Sequence, residues 1–234
     1  MAVEGDTGLQ TTVLEDLSDA VNYRRWLVEL TLPHLTGPTL EIGSGTGDYA
    51  ADWVHRGVEL TVSEADPGRL AGLRERFADD PRVSVRELAV PIGVRADYGA
   101  VVAVNVLEHV PDDVGALRAF AGLLRPGGRV VLLVPALPAL FSEFDRAIGH
   151  QRRYRKQGLA AALGRAGLRI ERLHHVNAAG VPAWFVGMRL LRMTPRSGPA
   201  LWAWDRGVVP VARRLERRWT PPFGQSLLAV ARRP

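Results

Sequence analysis

Near the start of the chain, Glu41-Ile42-Gly43-Ser44-Gly45-Thr46-Gly47 sets three glycines at alternate positions. They follow a short apolar run, Thr39 to Ile42, and precede a helical stretch, Asp48 to Arg56. Glycines so spaced permit a tight turn and let a ligand approach the backbone, and the following helix offers unpaired N–H groups to an anion. Glu64 closes the next apolar run, Val58 to Ser63, and Ala65 comes directly after it. A carboxylate there can accept two hydrogen bonds from a ribose diol. Together these features describe a site for an adenosine-containing cofactor at a topological switch point of a parallel sheet. The glycines alone are also compatible with a plain structural turn; Glu64 weighs against it.

A second constellation lies in Leu140 to Tyr154 (LFSEFDRAIGHQRRY). Asp145 and His150 stand five residues apart around Gly149, so a turn can bring them together. A histidine oriented by a carboxylate is a general base near neutral pH. The competing reading makes Asp145, His150, Arg152 and Arg153 an ion-paired latch. Phe141, Arg153 and Tyr154 are candidates to contact a second substrate, with helix capping as the alternative for Tyr154. His109, after the apolar run Ala100 to Val104, either borders the reacting centre or opens a helix ahead of Pro111-Asp112. His174 and His175 alternate on a strand and point to opposite faces. No metal-ligand spacing is present, and without cysteine no thiolate site exists, so no metal is expected.

The elements that must position these residues alternate. An amphipathic helix over Leu17 to Leu35, with Val21, Leu27, Leu30 and Leu35 on its apolar side, precedes the first strand. A helix at Pro67 to Ala78 and a strand at Val83 to Glu87 come next. After the strand Ala100 to Val104 comes a helix over Asp113 to Leu124, stopped by Pro126-Gly127-Gly128. Then come strand Arg129 to Val134, helix Gln157 to Arg165 and strand Leu168 to Val176. Short buried strands alternating with helices imply βαβ units and an α/β fold with a parallel sheet.

Glu41 followed by G-x-G-x-G, with Asp48 in place of a third dinucleotide-type glycine, resembles the class I S-adenosylmethionine-dependent methyltransferases. Asn105-Val106-Leu107-Glu108-His109 and Leu124-Arg125-Pro126-Gly127-Gly128 match further motifs of that family. The resemblance implies S-adenosylmethionine as cofactor, with S-adenosylhomocysteine as product. It implies contacts from Glu41, Gly43, Ser44, Gly45, Gly47, Glu64 and Ala65, from Glu87 and Leu88 at the adenine, and from Asn105 and Val106. It also implies a Rossmann-like, seven-stranded, mostly parallel sheet with helices on both faces, and with an antiparallel seventh strand at Gln225 to Ala231 between strands five and six. Asp145 to Tyr154 is similar to the D-x-x-x-G-H-x-R-R-Y signature of a bacterial subgroup. That subgroup also shows an early N-Y-x-x-W (Asn22 to Trp26), from which Tyr23 is expected at the cofactor, and a late P-P-F-G-x-S-L (Pro221 to Leu227). The activity implied is methyl transfer to a small-molecule or lipid-linked acceptor, in natural-product or glycolipid biosynthesis, with O-, N- and C-methylation all open. A non-catalytic cofactor-binding scaffold or sensor is the alternative. Asp48 disfavours a nicotinamide dehydrogenase.

With 234 residues, 47% hydrophobic, the chain suits one domain. Residues 1–36 form an N-terminal helical cap, 37–176 the cofactor-binding core, 177–224 a helical lid or insert, and 225–234 the last strand. Lys156 is the single lysine beside 29 arginines, and heavy Arg, Ala and Gly usage reads as a GC-rich bacterial genome. From Gly180 to Pro234 ten arginines face two acids, a local +8 in a chain whose total is +5. Basic character concentrated in the insert argues against a nucleic-acid surface spread over the fold. Four of the six tryptophans (Trp184, Trp202, Trp204, Trp219) fall there too. A helix is expected at Val181 to Met193. A second carries an apolar stripe of Leu201, Trp204, Val208, Val211 and Leu215, with Asp205 and Arg206 pointing elsewhere. This insert reads as a lid, as a packed surface element, or as a helix meeting anionic lipid headgroups. Met1 to Asp16 shows no secretory-signal pattern, so a cytoplasmic location is expected, with peripheral contact to the membrane's inner face left open. Oligomeric state is not legible.

Overall fold

The computed structural model describes residues 7–89, 96–191 and 197–234. Seven strands form one sheet: β1 (Thr39–Ile42), β2 (Leu60–Glu64), β3 (Val83–Glu87), β4 (Tyr98–Val104), β5 (Leu124–Pro135), β6 (Arg169–Val176) and β7 (Ser226–Arg232). Their order is β3-β2-β1-β4-β5-β7-β6. Strands β1 to β5 pair in parallel, and β7 runs antiparallel between β5 and β6. This is the expected Rossmann-like arrangement. The sheet reverses its winding between β1 and β4, so the loops leaving those two strands diverge and open a crevice at their carboxyl ends.

Alternation along the strands divides the core between two faces. Leu40, Ile42, Val101, Ala103, Leu132, Val134 and Ala229 pack with Leu117 and Phe120 of α5 (Asp113–Leu123) and Leu163 of α7 (Lys156–Arg165). Val62, Val102, Val131, Leu133, Leu228 and Val230 pack with Trp26 and Leu27 of α2 (Val21–Thr31) and Trp53 of α3 (Asp48–His55). Central strands are therefore apolar on both sides, as a sheet covered on both faces requires.

Three expectations change. The helix expected at Leu17 to Leu35 is shorter: α2 begins at Val21, after a separate α1 (Thr7–Leu17), and a 3₁₀ turn at Leu32–His34 holds Pro33. Val21 is exposed, and Trp26, Leu27 and Val28 form the buried face. Strand β5 starts at Leu124 and carries Pro126-Gly127-Gly128 within it; Gly127 takes φ +79°, beside a register shift against β4 between Tyr98 and Ala100. Third, the stripe predicted for the insert is not its buried face. A π-helical stretch, Trp204–Val208, precedes α10 (Val209–Glu216), and π-turns shift the register of the residues beyond them. Asp205, Val209 and Ala212 turn inward, whereas Val208, Val211 and Leu215 are exposed. The insert otherwise comprises α8 (Gly180–Trp184), continuing as π-helix through Leu190, and α9 (Pro199–Ala203). Met193, the predicted end of the first insert helix, lies outside the described residues.

Asp205 explains why the insert sits where it does. Helix α2 has no side-chain cap of its own. The Asp205 carboxylate accepts the backbone N–H of Asn22 at 3.0 Å and of Tyr23 at 2.8 Å, and the Asn22 amide at 3.1 Å. A carboxylate at a helix N-terminus satisfies orphan donors and complements the dipole. Arg213 and Glu29 add a 2.6 Å ion pair. Glu216 accepts the N–H groups of Asn177 and Ala178, fixing the exit from β6. Asp205→Ala leaves these donors unpaired, so urea unfolding is expected to show a loss of roughly 1–3 kcal/mol. An unchanged midpoint would contradict a capping role for Asp205.

Candidate active site

Each glycine of the first loop has positive φ: Gly43 +67°, Gly45 +57° and Gly47 +82°. A Cβ on Gly43 would stand 2.8 Å from Val106, and one on Gly47 2.8 Å from Leu73. The loop after β1 thus lies against the loop after β4, across the switch point. Ser44 ties it to β2, its N–H donating to the Ser63 carbonyl and its Oγ accepting from the Ser63 N–H.

Glu64 is buried, and its carboxylate reaches into the loop. Oε2 accepts the Gly45 N–H at 3.0 Å, while Oε1 accepts the N–H groups of Ala65 and Asp66 and pairs with Arg69 at 3.2 Å. Beyond the ribose role the sequence suggests, Glu64 therefore sets the shape of the glycine turn. Glu41 is buried at the end of β1, and its Oε2 has no hydrogen-bond partner among the described residues. Burial pushes its carboxyl up to about 7, a rise the Ser44 hydroxyl partly offsets. An orphaned carboxylate oxygen beside the glycine turn suits a ligand carrying positive charge and hydroxyls, so the residues present fit an adenosyl sulfonium. Glu87 and Leu88 line a cleft of about 410 Å³ with Leu40, Arg86, Ala96, Tyr98 and Leu123. Among the predicted cofactor residues only Glu87 and Leu88 line this cleft; the glycine loop does not. Asn105 takes φ +53°, a left-handed conformation that asparagine tolerates, and turns the chain sharply after β4. Tyr23 sits beside the start of β7, with Ser226 and Asn177 hydrogen-bonding its hydroxyl.

The later loop closes on the same end of the sheet. Its first residue, Leu137, holds φ +60°. A bulky residue there is strained and persists only under tertiary constraint; here its N–H donates to the Tyr154 carbonyl, beside the bridge between Ala136 and Tyr154. Ser142 and Asp145 form a capping box on α6 (Glu143–Ala147). Asp145 is wholly buried and serves several donors. It accepts the N–H and hydroxyl of Ser142, meets Nδ1 of His150 at 2.9 Å, and pairs with Arg153 at 2.8 Å. Burial alone would raise its carboxyl, but His150 and Arg153 outweigh that and hold it below the usual range. The histidine pair and the arginine latch are therefore not exclusive; one carboxylate makes both.

Arg153 stacks 4.4 Å from the Trp184 ring, joining the loop to the insert. Tyr154 is buried in the core, its hydroxyl donating to Asp113 at 3.1 Å. These two predicted substrate contacts are thus engaged by the protein's own groups. Phe141 is partly exposed beneath the Arg146 guanidinium. His109 and His150 meet edge to face, centroids 4.6 Å apart. Burial, reinforced by His150, depresses His109 to about 3, so its ring is neutral. Glu108, which the sequence marks only as part of a motif match, is wholly buried beside both rings, and burial raises it to about 7. Its place next to His109 at a strand end was the available signal. The joining of His150 was not, because it depends on the fold of a loop far along the chain.

Residues 40–130 match the family described as "Methyltransferase domain". A ubiquinone biosynthesis O-methyltransferase of Xanthomonas oryzae pv. oryzae is 34% identical over 110 residues, 44% of this chain and 45% of that protein. The chain thus matches less than half the length of the curated relatives. A geranyl diphosphate C-methyltransferase from Streptomyces coelicolor, solved with Mg²⁺, geranyl diphosphate and S-adenosyl-L-homocysteine, superposes with a TM-score of 0.63 at 15% identity, covering 89% of this chain and 78% of that one. A [4+2]-cyclase superposes at 0.59 with 20% identity, over 89% and 80%. Likeness at such identities shows the fold alone, and the cyclase illustrates that chemistry must be argued from the site. Residues 40–130 are thus similar to a methyltransferase domain, and the strand order and the glycine loop gripped by Glu64 agree with that likeness.

Proposed function

We propose that this protein transfers a methyl group from S-adenosylmethionine to a small-molecule or lipid-linked acceptor. The observation that carries this is the hydrogen bond from the Gly45 N–H to Glu64, which joins the glycine turn to the end of the neighbouring strand. Gly43, Ser44, Gly45 and Gly47 would hold the cofactor through their backbone, with Glu41 toward its positive charge. Glu64 and Ala65 would take the ribose, Glu87 and Leu88 the adenine, and Asn105 and Val106 the side facing β4. Tyr23 would border the same space. When bound, S-adenosylmethionine supplies a methyl on a positively charged sulfur, ready for displacement by an aligned nucleophile.

The chain itself contributes alignment and exclusion of water. The loop from Leu137 to Tyr154 lies over the β4 end, and Gln151 donates to the Glu108 carbonyl, so its far end is fastened beside His109. Trp184 donates to the Leu140 carbonyl and closes the insert onto this loop. His150, oriented by Asp145, faces Glu108 and His109 and works on the acceptor rather than the cofactor. Phe141 offers an apolar contact at the loop's entrance. The relatives' names, for ubiquinone biosynthesis and for geranyl diphosphate, support a small organic acceptor.

No helix among the described residues is long and apolar enough to cross a membrane. The insert nevertheless exposes Val211, Leu215 and Trp219, four residues apart on one stripe, alongside exposed Arg214 and Arg218. Apolar side chains flanked by cations suit an anionic lipid surface, and such contact would deliver a lipid-linked acceptor.

Three outcomes are expected. By calorimetry, Glu64→Ala and Gly45→Val each bind S-adenosylmethionine at least tenfold more weakly than the parent; parental affinity in both would remove the site assignment. His150→Ala and Asp145→Asn lose tenfold or more in turnover while binding the cofactor normally; parental turnover in both would leave Asp145 as a latch only. In co-sedimentation, vesicles containing phosphatidylglycerol retain the protein and neutral vesicles do not. Replacing Leu215 and Trp219 by Glu abolishes retention. Equal behaviour of the two vesicle types would sink the membrane reading.

A further inference from the structure

Glu108, His109 and His150 present one ligand atom each, all within 4.8 Å of one another. Glu108 is 0% exposed, and neither of its carboxylate oxygens makes a hydrogen bond to another of the described residues. Buried carboxylates are ordinarily paired or bound to metal, since an isolated buried charge is costly. Nδ1 of His109 is likewise buried, with no hydrogen-bond partner among the described residues. His150 is pinned from the other side. Its Nδ1 is held by Asp145 at 2.9 Å, which leaves Nε2 3.7 Å from Glu108 Oε1. That separation is too long for a hydrogen bond. It is close to the roughly 3.0–3.4 Å between two adjacent ligands that each lie about 2.1 Å from one ion.

The surroundings have the form of a metal site's outer shell. Ligating histidines almost always donate their second nitrogen to a carboxylate or a backbone carbonyl, which fixes the tautomer and aims the free nitrogen at the ion. Here Asp145 does this for His150. The Glu108 backbone is itself held by the Gln151 N–H at 2.8 Å. Two imidazoles and a carboxylate on one side, with other positions open, suit a first-row divalent ion better than Mg²⁺ or Ca²⁺, which prefer all-oxygen shells.

We propose that Glu108, His109 and His150 bind a divalent transition-metal ion whose open positions take oxygen atoms of the acceptor. The choice of acceptor, a molecule with a metal-ligating hydroxyl or carbonyl oxygen, rests on the methyltransferase reading; the ion site itself rests on the geometry alone. It departs from the sequence expectation of no metal. His150 then serves as a ligand, and the ion lowers the proton affinity of the acceptor hydroxyl.

The test is titration of the chelator-treated, full-length protein with Co²⁺, read by visible absorption, with S-adenosylhomocysteine binding measured on the same sample. One equivalent of Co²⁺ is expected to give ligand-field bands, and Zn²⁺ to displace it. Glu108→Gln and His109→Ala should each weaken Co²⁺ at least tenfold while keeping the parental circular dichroism. The two variants guard against loss of folding in either one. Absence of stoichiometric binding by the parent, or parental affinity in a folded variant, overturns the proposal. Co²⁺ binding without S-adenosylhomocysteine binding would keep the ion site and remove the methyltransferase reading; the reverse result would do the opposite.

Discussion

The site depends on one carboxylate reaching from the end of one strand to the backbone of its neighbour's loop. Glu64 accepts from Gly45, Ala65 and Asp66 at once, and these three N–H groups would otherwise be unpaired at the mouth of the sheet. Because a carboxylate offers about four acceptor positions, the contact fixes both loop and strand end without a second residue. The glycines make the turn possible by their positive φ; Glu64 makes it particular. Val106 pressing on Gly43 then sets the distance between the two diverging loops.

A second carboxylate organises the opposite wall in the same manner. Asp145 gathers the Ser142 cap, His150 and Arg153, and through Arg153 it reaches Trp184 of the insert. Asp205 connects that insert to the start of α2. Three buried acids thus hold the glycine loop, the Leu137–Tyr154 loop and the insert, each by charge-assisted bonds that are stronger than neutral ones. Glu41 and Glu108 differ from them, since each has buried carboxylate oxygen with no partner among the described residues. The contrast between satisfied and unsatisfied acids marks where ligands are expected.

Much of this was legible in the sequence because it is local. Strand identities come from apolar runs bounded by Gly and Pro, and the glycine loop with Glu64 from spacing alone. The antiparallel place of β7 came from family resemblance, not from periodicity. Other features escaped for physical reasons. The start of α2 at Val21 turns on a cap supplied by Asp205, nearly the whole chain away. The insert's buried face was misread because a π-helical stretch shifts the register, which a 3.6-residue period does not reveal. Glu108, His109 and His150 converge only once a strained Leu137 and the Ser142 cap have folded the later loop back over β4.

The most direct test of the central claim is a crystal structure with S-adenosylhomocysteine bound. The ribose should hydrogen-bond to Glu64, the amino-acid end should lie over Gly43 and Gly45 near Glu41, and the sulfur should face the side chains of His109 and His150. Ligand held elsewhere, with Glu64 and the glycine turn untouched, would contradict the account.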